Sequence, residues 1–198
     1  MNQIIKNGRK IPSKFENPID DEIIAFCDTL VNSCYENNIT PNFITIIRII
    51  ISLFTLYYLF FTNNIIIPIS GTIIFYFMDC LDGHLARSTD QVTVFGDYLD
   101  HFADLFFYFS ILIFMITKKY NHKYYIVSGF LLLTYGSFIH LGLQQKNYNV
   151  KSNEELLDKL NYLHNLDSKN ITWTRYFGTG TLYLSILFII YYIQSNYL

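Results

Sequence analysis

The residues best suited to chemistry lie between Asp79 and Asp104, in DCLDGHLARSTDQVTVFGDYLDHFAD. This stretch holds six of the sixteen acidic residues: Asp79, Asp82, Asp90, Asp97, Asp100 and Asp104. It also sits between the most apolar segments of the chain. Carboxylates at the ends of membrane helices are expensive to place, so they mark candidate functional sites. Asp79 and Asp82 are three apart and share a helix face; Asp100 and Asp104, four apart, share another. If the two helices run antiparallel, the pairs converge at the same ends. Four converging carboxylates cannot all stay ionised unless cations join them. Oxygen-only ligands select Mg²⁺, Mn²⁺ or Ca²⁺ over zinc, and a two-metal carboxylate site points to phosphoryl chemistry. Gly83, Ala86 and Gly96 leave room for a nucleotide or for close helix packing. Arg87 supplies a positive fork for phosphate. Asp90 and Asp97 are off this register and read as solvated. The bland alternative is a set of solvated helix ends at a membrane surface.

Long apolar helices must position these groups. The 198 residues are 52% hydrophobic and 18% aromatic, with mean hydropathy +0.25. That composition fits one integral membrane domain, an all-α bundle. A net charge of −2 excludes a nucleic-acid partner, which needs a basic footprint. The three cysteines, Cys27, Cys34 and Cys80, have no ligand spacing and predict no disulfide frame.

Residues 1–16 read as a polar, basic, loose tail without the apolar core of a signal peptide. Residues 17–37 read as an amphipathic helix lying on the bilayer, capped by Asn17 with Pro18 in its first turn. A soluble helix packed on the protein itself is the competing reading. Residues 38–198 form the membrane domain. Five spans are expected: 43–61, opened by Asn42 as cap after Pro41; 65 to the acidic stretch; 94–117; 124–143; and 174–193. Pro68 and Gly71 are possible kink points. Gly129, Gly136 and Ser137 allow close helix contact, including a homodimer. His140 reads as a packing histidine. Residues 152–166 read as a second surface helix capped by Ser152.

Five spans put the N-terminal tail, the acidic turn and residues 145–173 on one side. That side carries eleven of the fourteen Lys and Arg residues, and the other side has Lys118, Lys119 and Lys123. The positive-inside rule therefore turns the acidic stretch to the cytoplasm. The sequons at Asn38 and Asn170 fall on that side too, so no glycan is expected there.

The spacing Asp79-x2-Asp82-Gly83-x2-Ala86-Arg87-x8-Gly96-x3-Asp100-x3-Asp104 resembles, without gap or substitution, the signature of the CDP-alcohol phosphatidyltransferase family. ITPNFITIIR, opening the first span, resembles the Pro-Asn-x-x-Thr start common there. The resemblance implies cleavage of a CDP-linked alcohol, usually CDP-diacylglycerol, by an acceptor hydroxyl with release of CMP. It implies Mg²⁺ or Mn²⁺ in a two-metal site held by Asp79, Asp82 and Asp100. Asp104 would be the general base and a further metal contact. It further implies that Asp82, Gly83, Ala86, Arg87, Gly96 and Asn42 frame the nucleotide. The family architecture has six transmembrane helices, against five expected here.

VTVFGDYLDHFAD is similar to phosphatidylglycerophosphate and phosphatidylinositol synthases. The Asp100-His101 pair is instead similar to choline and ethanolamine phosphotransferases, which join a CDP-amino alcohol to diacylglycerol. Arg48 and Arg175, near cytoplasmic helix ends, are candidate binders of a phosphorylated acceptor and tilt the reading to the first group. A catalytically silent scaffold would have lost a motif residue. A divalent-cation carrier would place acidic groups near the bilayer midplane. This chain does neither.

Overall fold

The computed structural model describes residues 7–148, 167 and 169–196 in full, and the backbone alone at Ser168. The second surface helix expected over 152–166 lies outside the described residues. All regular structure among them is helical. Helix α1 is Pro18–Glu36, α2 Pro41–Phe61, α3 Ile66–Ser88, α4 Val94–Thr117 and α5 Lys123–Tyr148. The chain then forms α6, Ile171–Thr174, a 3-10 turn at Arg175–Phe177, and α7, Thr179–Ser195. Five segments are long and apolar enough to cross a membrane: α2, α3, α4, α5 and the run Ile171–Ser195.

The helix starts follow local chemistry. Asn17 caps α1 by accepting from the Ile19 amide at 3.0 Å, and Pro18 occupies the first turn. The cap expected at Asn42 lies two residues earlier, at Thr40. Thr40 accepts from the Phe43 amide at 3.3 Å, because Pro41 fits the first helical residue and needs no acceptor for a missing N–H. This frees the Asn42 side chain to reach α4. Helix α5 continues to Tyr148, beyond the expected residue 143, and Gln144 in the extension bonds His140 at 2.9 Å.

Outward faces are apolar, with Phe54, Phe109, Ile113, Leu132 and Phe188 all exposed, as lipid-facing helices require. Inside, Phe75 stacks on Phe107 with centroids 4.2 Å apart, and Tyr76 on Tyr183 at 4.4 Å. Gly71 lets α3 press against α2: an added Cβ would lie 2.0 Å from Thr55 Oγ1. Helix α3 continues through both Pro68 and Gly71 without a break. Gly136 serves a contact within the chain, against the Phe177 ring, while Gly129 faces open space. His140 packs as expected, with Nδ1 3.1 Å from Thr174 Oγ1.

Between α6 and α7 the helix breaks at Gly178, against which the Asn17 side chain packs. Asn17 Nδ2 donates to the Arg175 carbonyl at 2.7 Å and to Thr181 Oγ1 at 2.9 Å. The start of α1 is thereby tied to the last span. Residues 7–16 are not a loose tail either. They lie along this same end of the bundle: Arg9 pairs with Asp21, and Ser13 Oγ donates to Asp21 Oδ2 at 2.7 Å.

Gly71→Leu is expected to destabilise the bundle by about 1–3 kcal/mol through overpacking against Thr55. Thermal unfolding of the detergent-purified protein checks this; an unchanged midpoint would show that the α2–α3 contact yields easily.

Candidate active site

The site forms where the N-terminal part of α2 meets the C-terminal part of α3 and the first turns of α4. At its centre is Arg48, 0% exposed. Its Nη1 pairs with Asp79 and lies 3.3 Å from Asp104 Oδ1. Its Nη2 donates to Asp100 Oδ1 at 2.7 Å and to the Asp100 carbonyl at 3.2 Å. Nε is 3.9 Å from Asp82 Oδ2. The guanidinium also lies 4.9 Å from the Phe75 ring, a cation–π contact that backs it against the core. The two acidic pairs thus converge, from α3 and α4, on one cation from α2.

Asp82 is 3% exposed and is oriented by Thr45, whose Oγ1 donates to Oδ2 at 2.6 Å. Thr45 lies one turn before Arg48, so a single face of α2 serves the whole cluster. Carboxylate oxygens of Asp79, Asp82 and Asp100 lie within 4.8 Å of one another. Asp104 Oδ1 is buried and has no hydrogen-bond partner among the described residues. If all four carboxylates are ionised, one guanidinium leaves three negative charges uncompensated. An all-oxygen donor set with that excess fits Mg²⁺ or Mn²⁺. The residues present therefore suit the metals that the sequence implied.

The residues that the family resemblance assigns to the nucleotide cluster beside them. Arg87 folds back over Gly83, where an added Cβ would lie 3.0 Å from Nη1. Arg87 Nε donates to the Gly8 carbonyl at 2.6 Å. At Gly96 an added Cβ would lie 2.6 Å from Asn42 Oδ1 and 3.0 Å from Thr93 Oγ1, so glycine makes room for both side chains. Thr93 caps α4 by accepting from the Gly96 amide at 3.0 Å. The Ala86 carbonyl accepts from Gln91 and helps close the α3–α4 turn.

Two residues differ from the sequence expectation. The donors of Arg48 are directed at carboxylates, so it is the internal counter-cation of the cluster, not an open fork for an acceptor phosphate. Arg175 donates to the Lys14 carbonyl and lies 5.5 Å from the Tyr176 ring. Its described contacts thus join it to the N-terminal segment. Asp97 is exposed, as expected, with its carboxylate 3.7 Å from His101 Nδ1.

Sequence reasoning missed Thr45, Asp20 and Asp28. Thr45 stood in plain view within ITPNFITIIR, but only the folded register sets it opposite Asp82. Asp20 lies in the first turn of α1, where an acidic residue suits the helix dipole. It is buried, and the Tyr76 phenol donates to it. Burial pushes its carboxyl up to about 6, against the lowering effect of that hydrogen bond. Glu16, 8% exposed, is pushed up to about 7, first by burial and then by the Asp20 charge. Asp28 meets buried His84, with Oδ1 2.5 Å from Nε2, linking α1 to α3.

The chain belongs to the CDP-alcohol phosphatidyltransferase family, whose sequence model matches residues 38–193. Over 68 residues it is 43% identical to an archaetidylinositol phosphate synthase of Pyrococcus horikoshii. That match covers 33% of this chain and 35% of the relative. No solved structure matches.

Two outcomes follow from the electrostatics. Arg48→Met leaves four clustered carboxylates without their cation and is expected to cost about 3–5 kcal/mol. Added Mn²⁺ should recover part of the loss in a thermal melt; wild-type stability without metal would contradict the assignment. Asp20 and Glu16 hold their protons more tightly folded than unfolded. Their contribution is full below the unfolded carboxyl range and is lost as pH rises through about 6 and about 7. The melting temperature should therefore fall from pH 5 to pH 8, and the double variant Asp20→Asn, Glu16→Gln should flatten that slope.

Proposed function

We propose that the protein is a metal-dependent CDP-alcohol phosphatidyltransferase of phospholipid synthesis. It would move a lipid-bearing phosphate from a CDP-linked alcohol to an acceptor hydroxyl. The observation that carries this reading is the convergence of Asp79, Asp82, Asp100 and Asp104 at one end of α3 and α4. Asp79, Asp82 and Asp100 would hold Mg²⁺ or Mn²⁺. When bound, such ions offset the pyrophosphate charge and stabilise departing CMP.

The chain's own residues divide the remaining work. Arg87, folded over Gly83, offers its guanidinium to the donor phosphates. Asn42 and Gly96 bring α2 and α4 close beside the nucleotide, and Thr45 holds Asp82 in place. Asp104 accepts the proton of the acceptor hydroxyl as that oxygen bonds to the lipid-side phosphorus. The bond from this phosphorus to the bridging oxygen breaks, and CMP leaves with the electron pair.

CDP-diacylglycerol or a related CDP-lipid is the proposed donor. A phosphorylated polyol is the proposed acceptor, of the inositol phosphate kind. The name of the archaeal relative and the V-T-x-F-G-x-x-L-D spacing both support that choice. His101, which carried the amino-alcohol alternative, is exposed, and its ring bonds back to the Asp97 carbonyl at 2.8 Å. The excess of basic residues beside the acidic turn supports a site facing the cytoplasm.

Purified protein in detergent with Mn²⁺ and CDP-diacylglycerol should release CMP when given inositol phosphate or glycerol phosphate. No turnover across a broad panel of acceptors and CDP-donors would sink the reading. Asp104→Asn should still bind nucleotide, while turnover drops by about 10²–10⁴-fold. Full activity in that variant would refute the proton-acceptor role.

A further inference from the structure

We infer that the N-terminal strap, Gly8 to Asn17, is a positioning element of the donor site, acting through Arg87. The Gly8 carbonyl accepts from Arg87 Nε at 2.6 Å. That bond fixes the inner edge of the guanidinium and leaves it folded over Gly83, so its outer amino groups are presented in one orientation. An arginine side chain otherwise has many rotamers, and binding a phosphate would require freezing them.

The strap is built to make this one contact. Gly8 is itself buried, and an added Cβ would stand 2.2 Å from Ser88 Oγ and 2.6 Å from the His84 carbonyl. Only glycine lets the backbone approach α3 so closely. Downstream, Arg9 pairs with Asp21, Ser13 bonds Asp21, and Arg175 donates to the Lys14 carbonyl. Ile11, 3% exposed, anchors the middle apolar side. These ties hold the segment against α1 and the start of the last span. Releasing them would free Arg87 while leaving the contacts of the four site aspartates with Arg48 and Thr45 in place.

The inference rests on the reading of Arg87 as the donor-phosphate binder. The experiment separates the two. Binding of CDP to purified protein is measured by calorimetry with Mn²⁺ for wild type, Gly8→Ala and Asp21→Asn. Steady-state constants are measured for CDP-diacylglycerol and for the acceptor. Gly8→Ala shifts the strap from within, and Asp21→Asn loosens its clamp at a distance. Both are expected to weaken CDP binding and raise the donor KM by about 5–20-fold. The acceptor KM and kcat should stay within about twofold. The melting temperature should fall for Gly8→Ala, whose Cβ meets the His84 carbonyl, and stay close to wild type for Asp21→Asn. A merely structural strap would affect both substrates alike. If wild type binds no CDP, the functional reading fails. If wild type binds CDP and both folded variants bind it equally well, the strap inference is overturned.

Discussion

One buried guanidinium facing four carboxylates is the constraint on which the structure depends. Arg48 comes from α2, Asp79 and Asp82 from α3, and Asp100 and Asp104 from α4. In a low-dielectric bundle, none of these charges is tolerable alone. Together they fix the separation of three helix ends. The remaining contacts follow from that need: Thr45 satisfies Asp82, and the Phe75–Phe107 stack provides the wall behind Arg48. The set still carries more negative than positive charge, which suits it to receive divalent cations as well as to tie the helices.

The rest of the chain closes one end of this knot. Helix α1 does not simply float on a bilayer. Its Asp20 is held by Tyr76, which stacks on Tyr183 of α7. Its cap residue Asn17 is tied to the break between α6 and α7. An amphipathic helix, a docked strap and a broken last span therefore converge at the end of the bundle that carries the aspartate cluster. At the far ends of the spans, the described turns around 62–64 and 118–122 are short and polar.

Much of this was legible in the chain itself. The apolar runs gave five spans, because a membrane demands length and an unbroken backbone ladder. The aspartate spacing placed two pairs on two helix faces, because helical periodicity is rigid over such short distances. What stayed hidden was tertiary. Arg48 reads as an acceptor-binding residue until α3 and α4 are folded around it. The two-residue change of cap from Asn42 to Thr40 matters because it sends Asn42 to Gly96 instead. Residues 7–16 carry no periodicity, so their docking depends on isolated contacts such as Gly8 with Arg87, which no local pattern announces. Asp20 and Asp28 look like ordinary surface charges of α1, and only their partners on α3 show otherwise.

The central claim is that an acceptor oxygen, deprotonated beside the aspartate cluster, attacks the lipid-side phosphorus of a CDP-lipid. Turnover of CDP-diacylglycerol with an acceptor whose hydroxyl carries ¹⁸O tests this most directly. Mass analysis of both products should find the label in the new phospholipid ester and none in CMP. Label recovered in a nucleotide product, or a phospholipid formed without label, would contradict the account.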